Sequence, residues 1–160
     1  MGRPSSKWYI GIDPGQKGGI VLIDHRPKVT SYCPMPDTVT GMVEEIRSLI
    51  SVAGEEPADV ALITELAQVM PKQGAVSGFT YGRHFGAIEA IAVALGLPYH
   101  EVRPGKWKKD MGLNSDKTNS IKLCERLFPG VQLVLPPCRV KHDGIAEAIL
   151  IAEWGRRNNL

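Results

Sequence analysis

Cysteine is scarce in this chain: Cys33, Cys124 and Cys138 are the only three among 160 residues. They are odd in number, widely spaced and form no CxxC pair, which argues against a disulfide framework and against a zinc site. A reducing, cytosol-like compartment is the expectation. Long apolar runs are missing too, and none approaches the roughly 20 residues of a membrane span. The first six residues, MGRPSS, lack the apolar core of a signal peptide. Gly2 with Ser6 makes a poor myristoylation match. No phosphate-binding loop of the GxxxxGK type occurs, which removes the P-loop NTPases. Neither an internal repeat nor a low-complexity segment is visible. Charge of one sign is also nearly absent: the formal net charge is +2, so any nucleic-acid surface has to be a local patch.

What is present is ordinary globular composition, 43% hydrophobic and 22% charged. The length fits one domain over 1–160 with room for a core. The most informative stretch is WYIGIDPGQKGGI, residues 8–20. Trp8 to Ile12 reads as a buried strand that ends on Asp13, and Pro14-Gly15 forces a turn. Gly18 and Gly19 let the chain fold back into a second strand, Ile20 to Ile23. A carboxylate at the tip of a central strand either opens a turn or meets a cation, and Mg²⁺ is the natural one.

Val29 to Cys33 continues this as a third antiparallel strand. Thr38 or Thr40 caps a helix to about Val52, with Met42, Val43, Ile46, Leu49 and Ile50 on one face. Val60 to Thr64 repeats the first arrangement, a buried strand followed by an acid, Glu65. Residues 66–78 read as a loop, and a long helix runs from about Ala75 to Leu95. Gly78, Gly82, Gly86, Ala90 and Ala94 form a row of small residues along that helix. Packing is expected at Gly86, Ala90 and Ala94. Function is expected at Gly78 and Gly82, where Phe79, Tyr81, Arg83 and His84 offer stacking and phosphate contacts.

Pro98 to Val102 is a further strand. The run RPGKWKKDMGL then supplies Arg103, Lys106, Lys108 and Lys109 around Trp107, either as a solvated face or as a phosphate-binding patch. Ser115 or Asp116 caps a helix to Leu127 carrying Lys117, and a proline-containing loop carries Arg139 and Lys141. The last helix, about His142 to Arg157, places Asp143 and Glu147 four residues apart on one face. Asp13, Glu65, Asp143 and Glu147 therefore have routes to one point. Such a cluster is untenable without cations. Two divalent ions about 4 Å apart would satisfy it and would suit phosphodiester hydrolysis.

With those residues in place the sequence resembles the RuvC-like Holliday junction resolvases, in particular the shorter phage and prophage type. The resemblance rests on GIDPG at 11–15, Glu65 ending a strand, MPKQG at 70–74 and the terminal helix HDGIAEAILIAEW, in that order. It covers nearly the whole chain. It implies an α/β, RNase H-like fold: a mixed five-stranded sheet flanked by helices, with the acids at its carboxyl edge. It also implies a homodimer that nicks a four-way DNA junction symmetrically, using Mg²⁺ or Mn²⁺. Asp13, Glu65, Asp143 and Glu147 match the family's catalytic and metal-binding acids. His142 stands where relatives often carry another acid, and it either orients water or only starts the helix. Leu66 departs from a basic residue found in many relatives. Phe79 first, and Tyr81 second, match the aromatic inserted at the junction centre. Lys117 matches a phosphate-binding lysine. Lys72, Gln73, Arg83, Lys106, Lys108, Lys109, Arg139 and Lys141 complete the expected DNA surface. The competing readings are a nuclease of the same fold acting on other branched or single-stranded DNA, a non-catalytic DNA-binding relative, and an actin- or hexokinase-type ATP-binding module. The last normally needs two lobes and a second DxG turn, and the chain has neither.

Overall fold

The computed structural model of the chain describes residues 7–66 and 74–160. Its centre is a five-stranded sheet in the order β3-β2-β1-β4-β5. The strands are β1 (Trp8–Asp13), β2 (Gly19–Asp24), β3 (Val29–Pro34), β4 (Val60–Glu65) and β5 (Tyr99–Val102). The first three form the expected antiparallel meander, and β1–β4 and β4–β5 pair in parallel. Parallel pairing requires crossovers, and helices supply them. Helix α1 (Val39–Ala53) connects β3 to β4 through a single 3₁₀ turn, Pro57–Asp59, and α2 (Ala75–Leu95) leads from β4 to β5. Three more helices follow, α3 (Pro104–Asp110), α4 (Lys117–Leu127) and α5 (Asp143–Arg157).

The period-2 alternation of the strands divides the core into two layers. Ile10, Ile12, Ile20, Leu22 and Leu62 face α1 and α2, packing with Met42, Ile46, Leu49, Ile88 and Ile91. Tyr9, Val21, Ile23, Ala61 and Ile63 face the other way, against α5 and the residues of α3 and α4 around Trp107 and Leu123. Thr38 is the cap of α1, its side chain accepting from the Gly41 amide, and Gly54 closes that helix in the left-handed conformation. Asp116, rather than Ser115, caps α4.

The structure departs from the sequence reading in two places. The basic run at 103–113 contains a helix that no sequence pattern announces: Pro104 sits at the first turn of α3, and Trp107 is its fully buried anchor. The small residues Gly86, Ala90 and Ala94 are not packing positions, since all three are exposed and Gly86 has open space where a Cβ would stand. The buried face of α2 runs instead through His84, Ile88, Ile91 and Ala92. Close backbone approach occurs on α5. A Cβ on Gly11 would collide with the Ala148 carbonyl, and one on Gly144 would collide with the Lys17 carbonyl. Helix α5 lies directly on β1 and β2 because glycine lines both sides of the seam.

Candidate active site

Asp13 and Glu65 end neighbouring parallel strands, and Ile12 pairs with Thr64 one residue before them. Alternation puts both side chains on the α5 face of the sheet, in phase with Gly11 and Ile63. The turn after β1 is closed locally: the Gly15 amide donates to Asp13 Oδ1 at 3.2 Å and the Gly18 amide to the Gly15 carbonyl at 2.8 Å. Gly18 then forms a β-bridge with Gly144. That bridge ties the first turn of α5, and with it Asp143, to the loop that follows Asp13. Glu147, one turn further along, is buried at 4% exposure.

Of these four acids, all but Asp13 have a side-chain partner among the described residues. Trp107 Nε1 donates to Glu65 Oε2 at 2.7 Å. Lys117 Nζ donates to Asp143 Oδ2 at 2.6 Å. Lys108 Nζ lies 2.8 Å from Glu147 Oε1, and Ser120 Oγ donates to the same oxygen at 3.2 Å. Within the described part of the chain, two ammonium groups thus face four carboxylates. Burial first, and the shortfall of positive charge second, show in the titration. Burial pushes the Asp13 carboxyl up to about 7, the Gly15 amide opposes this, and Glu147 and Glu65 add to it. Glu65 is raised by burial against the opposing Trp107 hydrogen bond. At Asp143 burial is overcome by the Lys117 hydrogen bond and charge, and its carboxyl sits below the ordinary range.

Among the described residues, no three His, Cys, Asp or Glu side chains converge tightly enough to hold a metal ion as they stand. The donor set nonetheless suits a hard divalent cation. It consists of carboxylate oxygens only, and its least compensated member, Asp13, is the one whose ionisation a cation would restore. Asp13, Glu65, Asp143 and Glu147 are the residues that would hold one.

The remaining predicted residues divide into groups. His142 is the cap of α5, its Nδ1 accepting from the Ile145 amide at 3.1 Å. Phe79 is 73% exposed on the second turn of α2, with Arg83 exposed one turn on. Tyr81 lies near the acids: after burial, the charges of Glu65, Asp13 and Glu147 raise its phenol. Lys106 pairs with Asp110, Lys141 pairs with Glu125, and Lys109 and Arg139 are exposed. Lys72 and Gln73 lie outside the described residues. Sequence reasoning missed Trp107 and Ser120 as partners of the acids. Trp107 had a signal, as a lone aromatic in a basic run, whereas Ser120 had none, because it reaches Glu147 on α5 only through tertiary packing.

No protein-family model matches this sequence, and no curated protein does either. Solved structures do match. Thermus thermophilus RuvC in complex with a Holliday junction substrate superposes with a TM-score of 0.60 at 18% identity, over 92% of this chain and 90% of that one. A second Thermus thermophilus RuvC structure gives a TM-score of 0.60 at 16% identity, over 92% of both chains. With its mixed sheet and flanking helices, the chain has the RuvC fold, a member of the RNase H-like architecture, over nearly its whole length.

Proposed function

We propose that this chain is a metal-dependent, structure-selective DNA endonuclease that resolves four-way junctions by paired symmetric nicks, acting as a homodimer. The observation that carries the reading is the arrangement of Asp13, Glu65, Asp143 and Glu147, brought from two strand ends and one helix to the edge of a RuvC fold. The relative captured with a Holliday junction supplies the substrate class. Mg²⁺ or Mn²⁺ ions bound by these acids would activate a water and stabilise the leaving 3′ oxygen.

The chain's own side chains have separate tasks. Trp107 fixes the rotamer of Glu65 and keeps that carboxylate ionised more readily than burial alone would allow. Lys108 and Ser120 hold Glu147. Lys117, on the rim at Asp143, is placed to meet a phosphate. His142 is fixed by its cap bond beside Asp143 and is a candidate to orient the attacking water. Phe79 and Arg83 project from the start of α2, where an aromatic can enter the centre of a junction and a guanidinium can bind its backbone. Lys106, Lys109, Arg139 and Lys141 extend the phosphate-binding surface, and Lys72 and Gln73, outside the described residues, are proposed as further DNA contacts. A near-symmetric substrate cut twice calls for two active sites, hence the dimer.

The test is cleavage of an end-labelled four-way junction, with linear duplex and a flap as controls, in Mg²⁺ and in EDTA. Paired symmetric nicks restricted to the junction and dependent on metal support the proposal. Equal cutting of all substrates makes the protein a general nuclease of this fold.

A further inference from the structure

A cavity of about 720 Å³ opens between the turn that follows Asp13 and the first turns of α2. Its size lies within the roughly 300–1,000 Å³ of sites that take small organic groups. Gly15, Gln16 and Lys17 form one wall, and Thr80, Tyr81 and His84 form the other. His84 is 8% exposed, and its Nδ1 is buried without a hydrogen-bond partner among the described residues. A buried polar atom left unpaired bears its full desolvation cost, so such atoms mark places where a ligand or water completes the structure. The imidazole nitrogen serves as donor in one tautomer and acceptor in the other, and either suits the edge of a nucleobase. Tyr81 joins the cavity to the acids, since it lines the one and lies within the field of Asp13, Glu65 and Glu147.

We infer that this cavity receives one unstacked nucleotide adjacent to the scissile phosphate, its base lying against Tyr81 and pairing with His84 while Lys17 meets the neighbouring phosphate. The inference rests on the nuclease reading and adds a base-reading subsite to it. A phosphodiester held at the acid cluster has its neighbouring nucleotide within reach of the Gly15–Lys17 turn, because that turn begins two residues after Asp13. The lining is suited to a base rather than to a simple anion. It offers an aromatic face, hydroxyl and amide groups, and an exposed lysine at the rim. Taking a base out of the stack is costly in duplex and cheap at a branch point, where pairing is already interrupted. The cavity would therefore add to selectivity for branched DNA as well as to sequence preference at the cut.

The decisive substrate carries an abasic residue on either the 5′ or the 3′ side of a mapped cut, and is tested with the unaltered protein. Loss of the base on one side should slow cutting there about tenfold, with junction affinity nearly unchanged. His84→Leu should flatten the preference among the four bases at that position, while His84→Asn, which keeps a polar atom near Nδ1, should retain part of it. 2-Aminopurine at the same position gives a readout independent of cleavage: its fluorescence should change on binding and should not do so with His84→Leu. Equal rates with and without the base on both sides, together with unchanged fluorescence, would overturn the inference. Indiscriminate nicking of junction, duplex and single strand would defeat the junction reading instead, and base dependence beside the cut would still decide the cavity. A protein that binds no DNA would refute both.

Discussion

Asp13 is the residue at which the electrostatics of the site are least balanced. Its carboxyl titrates near 7 in the folded chain instead of near 3.8, chiefly because it is buried. A folded-state value above the unfolded one means that the stability tied to the protonated form is present at low pH and is lost as pH rises through about 7. The metal-free protein should thus melt at a lower temperature at pH 8 than at pH 5. Asp13→Asn should raise its stability at pH 8 by about 1–3 kcal/mol and should have a smaller effect at pH 5. An equal effect at both pH values, read by thermal melts in EDTA, would show that Asp13 is not buried against its neighbours. Trp107→Phe keeps an aromatic ring at the buried position, removes the hydrogen bond to Glu65 and leaves a small cavity where the rest of the indole stood. That bond lowers the Glu65 pKa, so its loss should move the acid limb of the cleavage pH profile upward and cost about 1 kcal/mol of stability in urea. A profile that does not move would reduce Trp107 to a packing residue.

At the scale of elements, the glycine positions separate two kinds of helix. Helix α5 is seated on the sheet through Gly11, Gly144 and Gly155, where an added methyl would meet a backbone carbonyl or the Ile63 side chain. Gly11→Ala should therefore destabilise the protein by about 3 kcal/mol or more. Gly86→Ala faces open space in the middle of α2 and should stabilise it by about 0.5–1 kcal/mol. Urea denaturation of the two variants distinguishes the seam from the open face; stabilisation in both would contradict it. The same contrast shows what is legible in the sequence. The strands ending on Asp13 and Glu65 can be read because a continuous apolar run stops abruptly at an acid. The terminal helix can be read because Asp143 and Glu147 stand one turn apart at the head of an otherwise apolar run. The row Gly86, Ala90, Ala94 misleads because a small residue implies close approach only if it faces another backbone. Offset by two residues from His84 and Ile88, that row turns about 200° away from the buried side. Helix α3 escapes sequence reading because lysines outnumber apolar residues in it, and its fold depends on the packing of Trp107 into the distant core. No local pattern reports that Lys108 and Ser120 meet Glu147, since α3, α4 and α5 come together only through tertiary packing.

Across the whole molecule, the acids occupy one edge of the sheet, and exposed cations are carried on α2, α3, α4 and the loop before α5. With a net charge of only +2, the proposed affinity for DNA would depend on this local distribution. Replacing Lys106 and Lys109 by alanine should weaken junction binding and reduce its logarithmic salt slope by up to about 0.9 for each phosphate that is no longer neutralised. Lys108 is left out of that pair because it holds Glu147, and its removal would disturb the site itself. An unchanged slope would make those lysines a solvated face only. No helix among the described residues is long and apolar enough to cross a membrane. Dimer formation is checked by sedimentation with and without a junction, and a monomer under both conditions would contradict the paired-nick scheme. The most direct measurement is a single-turnover comparison of wild type and Asp13→Asn on one labelled four-way junction in Mg²⁺, with binding measured in parallel. If the four acids form a metal-dependent hydrolytic centre, the variant should bind the junction within a few-fold of wild type and cut neither strand. Cleavage at the wild-type rate would show that the chemistry lies elsewhere.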